Sequence, residues 1–282
     1  METKDNKATV NVSKKPVAAK KKSSGFKGIK SAWIILVLCL VLAVCVYLFV
    51  LGNPANFQGG STAGKPLNML GTVYKGGFVV PIIWTMLFAD IALTIERWLA
   101  LKTAFGKMSL DKFVAQTKAC LSKNDLDGVI SLCDKQGGSV ANVVNSTIVK
   151  YREVENDDHL TKEQKVLSIQ KALDEATALE MPTLQMNLPI LAVIVTLGVL
   201  TGLFGTVLGM IRSFSALSAG GGGDSAALSQ GISEALVNTA SGILTSALAV
   251  IFYNYFTNRI DHLTYGLDEV GFTVVSTFSA TH

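Results

Sequence analysis

The residues best able to do chemistry in this chain are hydroxyls, an amide and a few acids set within or beside long apolar runs. Glu234, Asn238, Ser241 and Thr245 recur at spacings of four, three and four, which on a helix makes one polar stripe. Thr239, Gly242 and Ser246 form a second small and polar stripe beside it. Facing lipid, such groups are costly, an ionised Glu234 most of all if deep, so they must face protein or water. For Glu234, close to the end of its apolar run, simple solvation in the interface is the competing reading. In the preceding apolar run Gly198, Gly202, Gly205 and Gly209 recur at four, three and four, a bare stripe that invites close helix packing. Thr206 lies one turn beyond Gly202 on the same side, so its hydroxyl points into an interface. Whether it merely bonds a carbonyl of the preceding turn is open at this stage.

Asp90 is an acid inside another apolar run, which makes it a functional hypothesis. Its place near the end of that run, close to Arg97, equally suits an ion pair or a snorkelling role, and it is not assigned as a proton carrier. No nucleophile with a base, phosphate-cradling GxxxxGK[ST] loop or metal-ligand cluster is present, and the Gly220 to Gly223 run lacks the lysine such a loop needs. The four cysteines have no CxxC spacing, and His159, His262 and His282 are far apart. The chain is not expected to be an enzyme or to carry a cofactor.

The elements that must hold these residues follow from composition. Of 282 residues 49% are hydrophobic and 16% charged, too apolar for an ordinary soluble domain, so the surplus must face membrane lipid. Nine lysines and two acids lie in the first 30 residues. A basic run directly before an apolar segment reads as a cytoplasmic topology anchor and not as a nucleic-acid site. Residues 31–52 form an additional N-terminal transmembrane helix, with 19 charge-free residues from Trp33 to Leu51, long for a signal-peptide core. Residues 53–77 are a turn-rich periplasmic loop and 78–101 the next transmembrane helix, followed by cytoplasmic Lys102 and Lys107.

Residues 102–185 change to mixed polar and apolar residues at helical spacing, a cytoplasmic helical domain. Ser109 and the Thr161/Gln164 pair read as helix starts, and Gly137-Gly138 as a break. Residues 186–212 and 234–257 are transmembrane helices joined by a periplasmic loop at 213–233, and 258–282 are a cytoplasmic C-terminal tail. The expected fold is all-α: a polytopic membrane protein whose long transmembrane helices extend into a cytoplasmic helical domain, with both termini cytoplasmic. No repeat of the kind found in inverted-repeat transporters is present.

The run Gly202 to Ile211 (GLFGTVLGMI), the run Gly231 to Gly242 (GISEALVNTASG) and Tyr253-Asn254 together resemble the ExbB/TolQ/MotA family of proton-channel motor subunits, more the ExbB and TolQ branches than MotA. The similarity weakens away from these runs but extends over about residues 78 to 265, leaving the basic tail and first span outside the common three-span core. The resemblance implies a bacterial inner-membrane location and a homopentamer. That ring would enclose two copies of a smaller ExbD-like or TolR-like subunit, whose aspartate carries the ion. It further implies that Thr206 and Thr239 line the inner cavity, that Glu234 lies on the same path, and that work passes through a TonB-like protein to outer-membrane transporters. A TolQ-like or motility-type stator is the alternative within the family, and a solute transporter or a structural scaffold the alternatives outside it. Val199 and Leu248 stand where prolines are common in the family's last two spans, so the bends those prolines introduce are not expected.

Overall fold

The computed structural model describes residues 31–219 and 225–281; the basic tail, the Gly220 to Gly223 run and His282 lie outside the described residues. Nine α-helices occur among those residues: α1 (Ala32–Cys45), α2 (Met69–Lys75), α3 (Val79–Phe105), α4 (Leu110–Leu121), α5 (Leu126–Gln136), α6 (Gly138–Glu155), α7 (Lys162–Gln185), α8 (Leu188–Ala219) and α9 (Ser225–Thr281). The only β pairing described is an isolated bridge between Phe57 and Pro66. Four helical stretches, starting at Ala32, Val79, Leu188 and Leu228, are long and apolar enough to cross a membrane. The chain is an all-α polytopic membrane protein.

The membrane part is built on the α8–α9 pair, with α3 against both helices and α1 against α3. Side chains facing away from these contacts are large and apolar, as at Leu200, Leu203, Phe204 and Ile251, each more than half exposed in the single chain. In water that surface would aggregate; in lipid it costs nothing. One end of the bundle, the loop end, carries Gly76 and the α8–α9 connection. The other, the domain end, carries α4 to α7.

Between α1 and α2 the chain is not loose. A π-helical turn, Val46–Leu51, ends α1, and Tyr47 stacks on Tyr74 of α2 with centroids 4.6 Å apart and donates its hydroxyl to the Tyr74 carbonyl at 3.1 Å. Asn56, only 6% exposed, donates to the carbonyls of Val50 and Leu51 and accepts from Asn68, so the turn-rich segment is tied back to the end of the first span.

At the domain end a single apolar core joins α4–α7 to the second half of α9. Phe113, Val129, Ile148, Tyr151 and Ile169 are buried there with Phe256, Ile260, Leu263, Leu267, Val270, Val274 and Phe278. Residues 258–281 are therefore helical and packed, with Tyr151 edge-on to Phe278 at 4.9 Å, whereas the sequence suggested a polar tail. The Thr161/Gln164 capping box starts α7, and Gly137 and Gly138, at φ 64 and 80, turn the chain between α5 and α6 in a region glycine tolerates. Neither α8 nor α9 is interrupted where Val199 and Leu248 stand.

Candidate functional site

The glycine stripe of α8 meets the small and polar stripe of α9 along the tightest helix contact in the molecule. A Cβ built on Gly202 would lie 3.2 Å from both Gly242 Cα and Thr239 Cα, so the two backbones nearly touch. Gly198 faces Gly242 and Ser246, Gly205 faces Asn238, and Gly209 faces Ala235. This contact brings the two predicted threonines together. Thr206 Oγ1 donates to the Gly202 carbonyl at 3.2 Å, and Thr239 Oγ1, beside Thr206 Oγ1 and 3.1 Å from the same carbonyl, has its one proton to give to either. Thr206 thus makes the back-bond that sequence left open, and makes it as part of a shared cluster. Both residues are half-buried in the single chain, so the pair lies at the margin of the contact.

The other predicted stripe divides. Asn238, 2% exposed, donates to the Gly76 carbonyl at 3.1 Å and fills the space left by Gly205, tying α9 to the approach to α3. Thr245 is fully buried and returns its hydroxyl to the Ser241 carbonyl at 2.9 Å. Ser241 is half-buried. Asn238 therefore joins two elements of one subunit, while Thr245 is satisfied within α9 itself. Glu234, half-buried at the loop end, accepts from Gln230 at 3.0 Å and faces the charges of Lys75 and Arg212. Arg212 also lies 5.9 Å from the Phe78 ring.

Of the readings left open for Asp90, neither an ion pair with Arg97 nor snorkelling is what the structure has. Arg97 is fully buried and pairs in bidentate fashion with its own neighbour Glu96, Nε and Nη2 each 2.6 Å from a carboxylate oxygen. The guanidinium also donates to the Thr183 carbonyl at 3.3 Å, and Asn187 donates to Glu96 at 3.3 Å. A buried polar knot thus locks α3 to the point where α7 gives way to α8, with Asn187 itself in the left-handed region at φ 65. Sequence reasoning missed this knot, having weighed Arg97 in relation to Asp90. Asp90 is 0% exposed and takes no part in it.

Long apolar helices, a glycine-lined antiparallel pair and hydroxyls kept between them define a membrane protein whose polar chemistry lies between helices. Residues 142–269, from α6 into the far half of α9, match the model of the MotA/TolQ/ExbB proton channel family. Over those residues the chain is similar to that family.

Among curated relatives, it is 39% identical over 87 residues to a putative biopolymer transport protein, ExbB-like 3, of Synechocystis, covering 30% of this chain and 41% of that protein. It is 37% identical over 95 residues to the Tol-Pal system protein TolQ of Pseudomonas aeruginosa, covering 34% of this chain and 41% of that protein. It is 28% identical over 193 residues to the biopolymer transport protein ExbB of Pseudomonas putida, covering 67% of this chain and 56% of that protein. The chain thus spans less than two thirds of the length of each of these relatives.

Proposed function

We infer that this chain is the channel-forming subunit of an inner-membrane, ion-driven motor, ExbB-like in energising TonB-dependent outer-membrane transport. The observation that carries this reading is the Thr206–Thr239 hydroxyl pair, half-buried on the α8–α9 seam inside the segment that matches the proton channel family. Five copies form a ring around a dimer of an ExbD-like or TolR-like subunit, whose membrane aspartate carries the ion past the hydroxyls. Glu234 stands at the loop end of that path. A hydroxyl both donates and accepts, so the pair can bond an aspartate in either protonation state as the partner moves. Each charge crossing supplies about 2.3 kcal/mol per 100 mV, which is enough only where several crossings are coupled to one mechanical event or the load is small. The N- and C-termini lie on the cytoplasmic side with α4–α7, which places the loop end in the periplasm.

Replacing both hydroxyls, Thr206→Val with Thr239→Val, is expected to abolish ion-dependent uptake through outer-membrane transporters while the ring still assembles. Wild-type uptake by the double variant would refute the assignment. A TolQ-like role is the second reading, favoured by the TolQ relative at comparable identity. Co-purification of the chain from its native membrane separates the two: a TonB-like protein in the complex supports the first reading, another protein of a Tol-Pal system the second.

A further inference from the structure

Asp90 stands apart from the hydroxyl seam and from the Glu96–Arg97 knot. Its side chain is 0% exposed within a single chain, and neither carboxyl oxygen has a hydrogen-bond partner among the described residues. Its chain neighbour Ala89 packs in one apolar layer with Cys39 of α1, Ile194 of α8 and Ala249 of α9. Those three helices are the ones packed about α3 in the bundle.

The charged groups on these elements are engaged elsewhere. None lies in α1. On α3, Arg97 is seven residues away, about 10 Å along the helix, and is spent on Glu96. Lys102 lies over the Trp98 ring at 5.3 Å. On α8, Arg212 is at the loop end over Phe78. On α9, Arg259 lies over Phe105 and Tyr255 at the domain end, and Glu234 bonds Gln230 at the loop end. His262, Asp261, Asp268 and Glu269 follow Arg259, farther towards the extrinsic domain.

An ionised carboxylate with no counter-charge and no donor, inside an apolar layer, costs several kcal/mol or more. A single proton removes that cost. Three other buried hydroxyls among the described residues lack partners: Thr94 one turn beyond Asp90, Ser246 one turn from Ala249, and Thr117, away from this layer in α4. Thr94 lies on the same face of α3, where i and i+4 side chains are neighbours. A sodium ion would need several oxygen ligands, and Asp90 with one adjacent hydroxyl is a poor set for it.

We propose that Asp90 holds a bound proton as a neutral carboxylic acid, giving this chain an intramembrane proton-binding site of its own in the layer between α1, α3, α8 and α9. The site is separate from the Thr206–Thr239 path and does not depend on which member of the family this chain is.

The test is infrared spectroscopy of the full chain in lipid nanodiscs, with isotope label confined to aspartate carboxyl groups. Ordinary aspartates titrate at about 3.9 and are ionised at neutral pH. No other described aspartate is buried, so a labelled C=O stretch of a protonated acid at neutral pH is expected from Asp90. Asp90→Asn should remove that band and keep the wild-type melting temperature, because an amide replaces a neutral acid of the same shape. Absence of the band from the wild type, or its persistence in D90N, overturns the proposal. Should D90N fail to accumulate, the same spectra of D5N and D224N decide: both must keep the band, and loss in either assigns it elsewhere. Loss of the band on adding sodium would assign a metal cation in place of the proton. The Thr206→Val, Thr239→Val double variant is expected to keep the band, so failure of the path assignment and failure of this one are told apart.

Discussion

Cys133 lies 4% exposed in the core of the extrinsic helices, and burial pushes its thiol up to about 12. The thiolate is the reactive species, so almost none exists at neutral pH. A maleimide applied to the folded protein at neutral pH should leave Cys133 unmodified, and full labelling by mass spectrometry should require unfolding or a pH approaching that raised value. Rapid labelling of the native chain would mean the core opens readily.

The Glu96–Arg97 pair makes the opposite kind of demand, since both members are charged and both are buried. Arg97→Met should cost about 3–5 kcal/mol by stranding the carboxylate, while Glu96→Leu with Arg97→Met should recover most of that loss. Denaturant unfolding of the three proteins in detergent measures both steps. This pair was hidden from sequence reading for a physical reason. Adjacent residues on a helix do not face each other, so i,i+1 ion pairs are not sought, and this one forms only because Thr183 and Asn187 receive it on the other side. Thr206 and Thr239 were legible because helical spacing alone places hydroxyls beside glycines.

Between elements, the α8–α9 seam is set by what is missing from its side chains. A Cβ on Gly242 would lie 2.8 Å from the Cα of Gly202, and a backbone atom cannot rotate away as a flexible side chain can. Gly242→Ala should force the helices apart and cost about 1–3 kcal/mol, read as a lower melting temperature of the detergent-solubilised protein. The glycine spacing that announced this seam lies on α8, and the stripe of α9 that meets it is the second one, Thr239, Gly242 and Ser246, with Ala235 and Asn238.

The far half of α9 was harder to read. Ile260, Leu263, Leu267, Val270, Val274 and Phe278 repeat every three or four residues, yet Arg259, Asp261, Asp268 and Glu269 are interleaved with them and give the stretch a polar look. Periodicity carried the signal there, and mean polarity masked it. The α7–α8 junction had no comparable sequence signal, because Asn187 takes its left-handed backbone in response to the buried knot beside it.

At the scale of the whole molecule, the first span is a fixed part of the bundle. It packs along α3, and the Tyr47–Tyr74 stack and the Asn56 hydrogen bonds fasten its outer end to α2, one residue before the Gly76 carbonyl that Asn238 holds. Tyr47→Leu removes the stack and the hydrogen bond, worth about 0.5–1.5 kcal/mol for the aromatic pair. Amide hydrogen exchange from Tyr74 to Gly77 should accelerate in that variant, with exchange in α5 and α6 unchanged. This fastening lies outside residues 142–269, the stretch that the family model matches. The turn-rich composition of residues 53–77 foretold a connection without long helices, and the anchoring asparagines could not be picked out from others of the same type.

One structural contrast governs how motion can pass through this molecule. The link between α7 and α8 is broken at Met186 and Asn187, whereas α9 runs unbroken for 57 residues, about 85 Å, from the loop end to the far side of the extrinsic core. α9 is thus one continuous rod from Glu234 to the extrinsic core, while the break beside it is held in place by the Glu96–Arg97 knot. Spin labels placed near Glu234 and at the exposed Phe272 are expected to reorient together, because no break in α9 lies between them.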